Sequence, residues 1–443
     1  MEPAKKDKYI LKEINSGPLA IKRYFSQSEL NELHFVDPLF FLDNYLKSGD
    51  SFGLSSDELV IYALNASQKI FNVILRRFFK TSLVNSQEVL AGELYKFCIF
   101  REVITRESAE KTFKKIINMD LADLIVYLYN ELQTLKKEIK LPVLGTRTVA
   151  VKTRFDEKDF KKYSWQYSVL GFLQREAEKN PFIQSFLVHG SFATKDFLEN
   201  WSDLDTLVIL DDKIFGGSDN IKSAHNIFRK IALLFYKIDP LAHHEFTFMT
   251  GFDLDYYSSS LFPPVIYDYS LLISGKKELK ISIHPDDYEK IHRMAEFVNY
   301  FRNKILLSKF SANKYFWKND LAFIMMWPSF MLQAENLYLY KKYSFGKAKE
   351  KFPSINFSVV DGATSIMKNW KRFNLLRCYP NMLINLLPYG INEKLIYLFR
   401  HLARSQSPEQ SNDQIKAITE DALKLMESSL DLCLKNKSLH SNG

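Results

Sequence analysis

A chain of 443 residues with only 15 Gly and 14 Pro is too long for one ordinary domain and too poor in turn formers for an all-β or a disordered protein. Hydrophobic residues at 46% and aromatic residues at 14% supply packed cores, and a charged share of 25% is the usual globular value, so collagen-like, low-complexity and disulfide-scaffold classes drop out. The net charge of +8 permits a polyanionic partner such as RNA or a nucleoside triphosphate, although a solvated basic surface is the simpler account.

Three further readings bound the class. Cys98, Cys378 and Cys433 lie far apart and form no CxxC pair, so neither a zinc site nor a disulfide framework is expected. The stretch Met1 to Gly17 carries charge but no apolar h-region, which argues against a secretory signal. The densest apolar run, Leu321 to Leu332, is too short to cross a bilayer and contains Pro328. A soluble, cytoplasmic protein without a membrane partner is expected.

In chain order, residues 1–145 read as helices. Leu59, Tyr62, Ala63, Ala66, Ile70, Val73, Ile74 and Phe78 recur at three- and four-residue steps, and Leu121, Leu124, Ile125, Leu128, Leu132 and Leu135 repeat the pattern. No chemistry is visible there, and a helical accessory domain is expected. The composition turns β-rich near Leu141, with Thr146, Thr148, Val149, Val151 and Thr153. A helix is predicted over about 157–179, then a strand over 182–189, a short polar helix at Asn200–Ser202 and a second strand over 203–210. A helix over 221–238 and a strand over 243–250 follow, then a helix from Pro263-Pro264 to about Ser274, and an edge strand over 278–283. From about Asp286 to the polar tail the chain reads as helical again. The expected class is α/β: a small mixed-sheet core over 146–285 between helical domains 1–145 and 286–443.

One constellation carries chemistry. The first strand ends in Val188-His189-Gly190-Ser191, and eleven residues after Ser191 comes Ser202-Asp203-Leu204-Asp205, which opens the second strand. At i and i+2 on a strand, Asp203 and Asp205 share a face. Two carboxylates so close repel unless a positive group lies between them, and a hard divalent cation shared with phosphate oxygens meets that need. Gly190 lets the backbone approach a triphosphate, and the Ser191 hydroxyl adds a donor.

The residues Val188-His189-Gly190-Ser191 and Asp203-Leu204-Asp205-Thr206 resemble the hG[GS]…Dh[DE]h signature of the DNA polymerase beta-like nucleotidyltransferase superfamily, and the Ser202-to-Asp205 wording is close to its minimal and aminoglycoside-modifying branch. The resemblance covers about 182–245. It implies a Mg²⁺-dependent, two-ion transfer of a nucleoside monophosphate from an NTP, such as ATP, to an acceptor hydroxyl, with pyrophosphate released. Asp203 and Asp205 would hold the metal, with Glu245 as the third carboxylate and proton acceptor, and Asp253 as the alternative to Glu245. Gly190, Ser191 and Ser202 would face the nucleotide. Family members often continue after Gly-Ser with Ala and then Arg-Gly, whereas this chain has Phe192-Ala193-Thr194-Lys195, so Lys195 is the residue available for a phosphate. In the run Tyr340-Lys341-Lys342-Tyr343 with Lys347 and Lys349, Lys347 is chosen as a nucleotide contact.

Other features have blander readings. His243 and His244 face opposite sides of a strand and cannot easily share an ion. The aromatics Phe310, Tyr315, Phe316 and Trp317 among Lys309, Lys314 and Lys318 read as core rather than as base-stacking residues. The acceptor is left open between a small hydroxylated molecule, a protein side chain and an RNA end. The rival reading is a catalytically silent, regulatory or antitoxin-like member of the same fold.

Overall fold

The computed structural model describes residues 10–13, 22–25, 56–79, 87–139, 143–156, 158, 164–198, 200–238, 241, 246–259, 262–284, 287–308, 310, 313–371 and 389–441. They divide into two compact units, one of residues 1–144 and 212–225, the other of residues 145–211 and 226–443.

In the first unit, strands β1 (Ile10–Glu13) and β2 (Lys22–Phe25) pair antiparallel. Among the described residues, four helices follow: α1 (Ser56–Phe79), α2 (Gln87–Thr105), α3 (Ala109–Ile116) and α4 (Leu121–Glu138). The expected stripes are the buried faces: Ala63, Ala66, Ile70, Ile74 and Phe78 on α1, and Leu124, Ile125, Leu128, Leu132 and Leu135 on α4. Starts are capped as their residue types dictate. Ser108 accepts from the backbone N–H of Lys111, and Asp120 from that of Ala122. A 3₁₀ turn, Asp212–Gly216, brings Phe215 onto Tyr129 (3.8 Å between centroids, stacked) and onto the edge of Phe71.

The second unit holds a five-stranded sheet in the order β4-β8-β5-β6-β7, and a two-stranded ribbon, β3-β9. The strands are β3 (Gly145–Ala150), β4 (Thr153–Arg154), β5 (Ile183–His189), β6 (Asp205–Leu210), β7 (Phe246–Met249), β8 (Leu271–Gly275) and β9 (Glu278–Ile283). Strand β5 runs antiparallel to both β6 and β8, while β6 and β7 are parallel. Leu187, Leu207, Ile209 and Leu272 from the sheet pack with Val149 and Ile281 from the ribbon in one core. The helices are α5 (Ser164–Glu178), α6 (Ser191–Thr194), α7 (Ser218–Ile238), α8 (Gly251–Asp255), α9 (Asp287–Leu306), α10 (Lys314–Ala334), α11 (Lys341–Lys351), α12 (Ser358–Lys368), α13 (Tyr389–Arg404) and α14 (Asn412–Ser441). The first eight residues of α7 fall in the sequence range of the first unit. Among the described residues, no helix is long and apolar enough to cross a membrane.

The mixed α/β core between helical regions is the expected class. Four local expectations fail. Ile10–Glu13 and Lys22–Phe25 are strands in a stretch expected to be helical, and β6 begins at Asp205, so Asp203 precedes the strand instead of sharing a strand face with Asp205. The stretch after Pro263 is not one helix but a 3₁₀ turn, Pro264–Tyr269, followed by β8. Leu271, Leu272 and Ile273 are buried between β4 and β5, and a strand covered on both faces shows no alternation to distinguish it from a helix. The short helix lies at Ser191–Thr194 rather than at 200–202, where the backbone turns instead.

Candidate active site

The register of β5 on β6 sets His189 opposite Asp205. The turn that leaves β5 and the residues that enter β6 therefore meet at one end of these two inner strands. Gly190 begins that turn at φ = +71°, in the region that favours glycine. A side chain there would also collide with Oδ2 of Asp205. Two independent constraints, conformation and space, thus select glycine. Helix α6 then makes a single turn, and Lys195 closes it in the left-handed conformation (φ = +61°), its backbone N–H donating to the Ser191 carbonyl.

Each carboxylate faces an ammonium group from the C-terminal helices. Lys318 of α10 stands 3.9 Å from Asp203 Oδ2, and Lys341 of α11 stands 3.7 Å from Asp205 Oδ2. The two lysines differ in freedom. Lys318 is 2% exposed and lies 5.5 Å over the ring of Trp201. The side chain of Lys341 is 54% exposed. Loss of hydration inside the cleft lowers the Lys341 pKa, but Asp205, with smaller help from Tyr340, Asp203 and Asp196, outweighs that and leaves it raised. Sequence reasoning expected a cation between the carboxylates; the structure sets two ammonium groups beside them.

The start of α11 is tied to the α6 turn at two further points. The hydroxyls of Tyr340 and Thr194 are 3.1 Å apart, and Lys342 pairs with Asp196 at 3.1 Å. Tyr340 also stacks on Tyr269, with 4.6 Å between centroids. Burial alone would raise the Asp196 pKa, yet hydrogen bonds from Thr194 and Lys342 hold it below the ordinary carboxylate value. Burial raises that of Tyr340.

The other expected residues divide. Ser191 opens α6 beside Gly190, and Ser202 is buried with its hydroxyl accepting from the N–H of Leu198 (2.9 Å). Lys195 is exposed at the end of the turn. The ammonium of Lys347 is turned to Glu350 (2.8 Å) on its own helix, so the lysine of this run that reaches Asp205 is Lys341. Glu245, His243 and His244 lie outside the described residues. Phe246, which follows Glu245 in sequence, is paired with Thr206, which follows Asp205. Asp253 is buried as the third residue of a capping box: its Oδ2 accepts from the backbone N–H and the hydroxyl of Thr250 at 2.6 and 2.7 Å. That geometry accounts for Asp253 as a structural group.

Lys318 and Lys341 were missed as site residues. For Lys318 the trace in the sequence is its place one turn from Lys314 amid aromatics, and Lys341 stands in the very run from which Lys347 was chosen. Trp317 is core as expected, while Phe316 is half exposed and the two lysines point inward. Lys309 lies outside the described residues.

Among the described residues, no group of three or more His, Cys, Asp or Glu side chains comes together. Two carboxylates remain, the number Mg²⁺ commonly takes from a protein when substrate phosphates and water complete its shell. The absent side chain at Gly190 keeps Asp205 Oδ2 accessible, and Lys341 is long-stemmed and half exposed, so its ammonium can move aside. The donor set fits a hard cation on that side.

Family models place the match at residues 168–239, with the description nucleotidyltransferase domain. No match was found among curated proteins or among solved structures. The matched span takes in most of α5, β5, the Gly190 turn, both carboxylates, β6 and nearly all of α7, so this part of the chain is similar to the nucleotidyltransferase domain, consistent with the DNA polymerase beta-like nucleotidyltransferase superfamily.

Proposed function

We propose that the protein transfers a nucleoside monophosphate from an NTP to an acceptor hydroxyl, releasing pyrophosphate. The observation that carries this reading is the meeting of the Gly190 turn with Asp205 where β5 ends and β6 begins, with Asp203 two residues before it, inside the matched domain. In this reading Asp203 and Asp205 hold Mg²⁺, and Glu245 completes the set for a second ion. The bound metal supplies neutralisation of the triphosphate charge and activation of the acceptor hydroxyl.

The chain's own groups have separate tasks. Gly190 and Ser191 admit the triphosphate to the turn, and Lys195 and Lys341 supply positive charge on its flank. Lys341 exchanges its pairing with Asp205 for a phosphate oxygen. Lys318, held in the core, fixes the Asp203 carboxylate in place. The acceptor oxygen attacks the α-phosphorus, the bond from that phosphorus to the β-phosphate oxygen breaks, and the acceptor proton passes to Glu245. A small hydroxylated molecule is the leading acceptor, ahead of a protein side chain or an RNA end.

The test is incubation of the protein with each α-labelled triphosphate, Mg²⁺ and a cell extract, reading which mass class gains label and whether pyrophosphate appears. Chelation of the metal should stop labelling. Lys341→Ala should raise the KM for triphosphate about tenfold, a loss of roughly 1.4 kcal/mol, with kcat less affected. Metal-dependent nucleotide binding without pyrophosphate release from any acceptor class would favour the silent, regulatory reading instead.

A further inference from the structure

Helix α10 carries a second buried lysine. Lys314, one turn before Lys318, lines a pocket of about 160 Å³ with Ser365, Asn369, Trp370, Glu409 and Gln410. That volume is room for roughly five waters or one small polar molecule. Neither Asp203 nor Asp205 belongs to its wall.

The wall is built of polar groups whose obligations are mostly met. The ammonium of Lys314 donates to the Lys371 carbonyl at 2.8 Å and stands 3.6 Å from the Glu409 carboxylate. The amide oxygen of Gln410 accepts from the indole of Trp317 at 2.9 Å, which leaves its amide N–H groups as donors. The amide nitrogen of Asn369 donates to the Ser365 carbonyl at 3.0 Å, which leaves its oxygen as an acceptor. The exception is Trp370. It is 6% exposed, yet among the described residues its indole Nε1–H meets no hydrogen-bond partner. A buried donor left so costs about 1–3 kcal/mol.

We propose that this pocket binds a small, neutral, polyhydroxylated molecule, with Trp370 and Gln410 donating to its hydroxyls and Glu409 accepting from them. The chemistry follows from the wall. Donors and acceptors stand side by side, and a hydroxyl is the group that can both accept from an indole and donate to a carboxylate. Lys314 and Glu409 already neutralise each other, so the wall offers no net charge to attract a charged ligand, which would have to break that pair to gain a partner. The pocket reaches the carboxylates through one line of contacts: Trp370 meets Trp201 edge-on at 5.2 Å, Lys318 lies over Trp201, and Lys318 faces Asp203. The proposal stands on the pocket alone and does not require the transfer reaction.

The full-length protein is titrated with myo-inositol and with glucose, and with glucosamine and glucose 6-phosphate as charged counterparts. The indole N–H resonances are followed by NMR, Trp370→Phe identifying the Trp370 signal, and affinities are measured by calorimetry. A neutral polyol should shift the Trp370 signal saturably and bind more tightly than either charged counterpart. Glu409→Gln, at a partly exposed position, and Trp370→Phe should each weaken it about five- to tenfold. Asp203→Asn should keep the affinity whether or not transfer is lost, which separates this site from the catalytic reading. The proposal is overturned by the absence of a saturable shift with either neutral polyol, by tighter binding of a charged counterpart, or by affinity unchanged in Glu409→Gln.

Discussion

Asp203 and Asp205 have the same chemistry and different surroundings, so their neutralisation should have different consequences. Asp203→Asn leaves the buried ammonium of Lys318 facing an amide, and breaking such a pair should cost on the order of 2 kcal/mol. Asp205→Asn faces the half-exposed Lys341, and pairs of that kind contribute roughly 0–1 kcal/mol. Both should abolish transfer, while denaturant titration should find only the first clearly destabilised; equal stability would remove the fixing role given to Lys318. Gly190→Ala meets both a strained φ and the Asp205 carboxylate, and should cost about 1–3 kcal/mol together with activity. Lys237, in the last turn of α7, is buried with its pKa pushed down to about 8 by desolvation. A folded-state pKa below the unfolded value makes this lysine a cost that is fully present below pH 8 and fades as pH rises toward the ordinary lysine value. Lys237→Met should therefore raise Tm at neutral pH, and the difference from wild type should shrink between pH 8 and pH 10.5.

Among elements, α8 holds a carboxylate with a structural task. Asp253 and Thr250 form its capping box, so Asp253→Ala removes two hydrogen bonds at a buried helix start and should cost about 1–2 kcal/mol. Transfer activity at a temperature below the lowered Tm should survive. Loss of activity in a folded Asp253→Ala protein would restore Asp253 as a metal ligand in place of Glu245. The start of α11 is the element that brings Tyr340, Lys341 and Lys342 to Thr194, Asp205 and Asp196. A kinetic effect of Lys341→Ala at unchanged stability would mark that element as part of the site rather than as packing.

For the molecule as a whole, the first unit is discontinuous in sequence, because residues 212–225 complete it. Phe215 from that insert stacks on Tyr129 and meets Phe71, both otherwise in a helical core. A fragment ending at residue 144 lacks Phe215 and should show lower cooperativity in thermal unfolding than the intact chain. Phe215→Ala in the full protein should cost about 3–5 kcal/mol. A fragment 1–144 that melts as sharply as the intact chain would show that the insert is dispensable.

Much of this protein was legible before any coordinates. The helical stripes of α1 and α4 are local periodicities, and a buried face follows from spacing alone. The glycine turn that faces Asp205 was legible from its residue types, but the shared strand face expected of Asp203 and Asp205 was not, since β6 begins only at Asp205. Strand β8 was misread because burial on both faces erases the alternation that marks a strand. Lys341 rather than Lys347 at Asp205, and Lys318 at Asp203, were decided only by tertiary structure. Which of several lysines on a helix meets a carboxylate more than a hundred residues away depends on how helix and sheet pack, and that packing leaves no local pattern in the sequence.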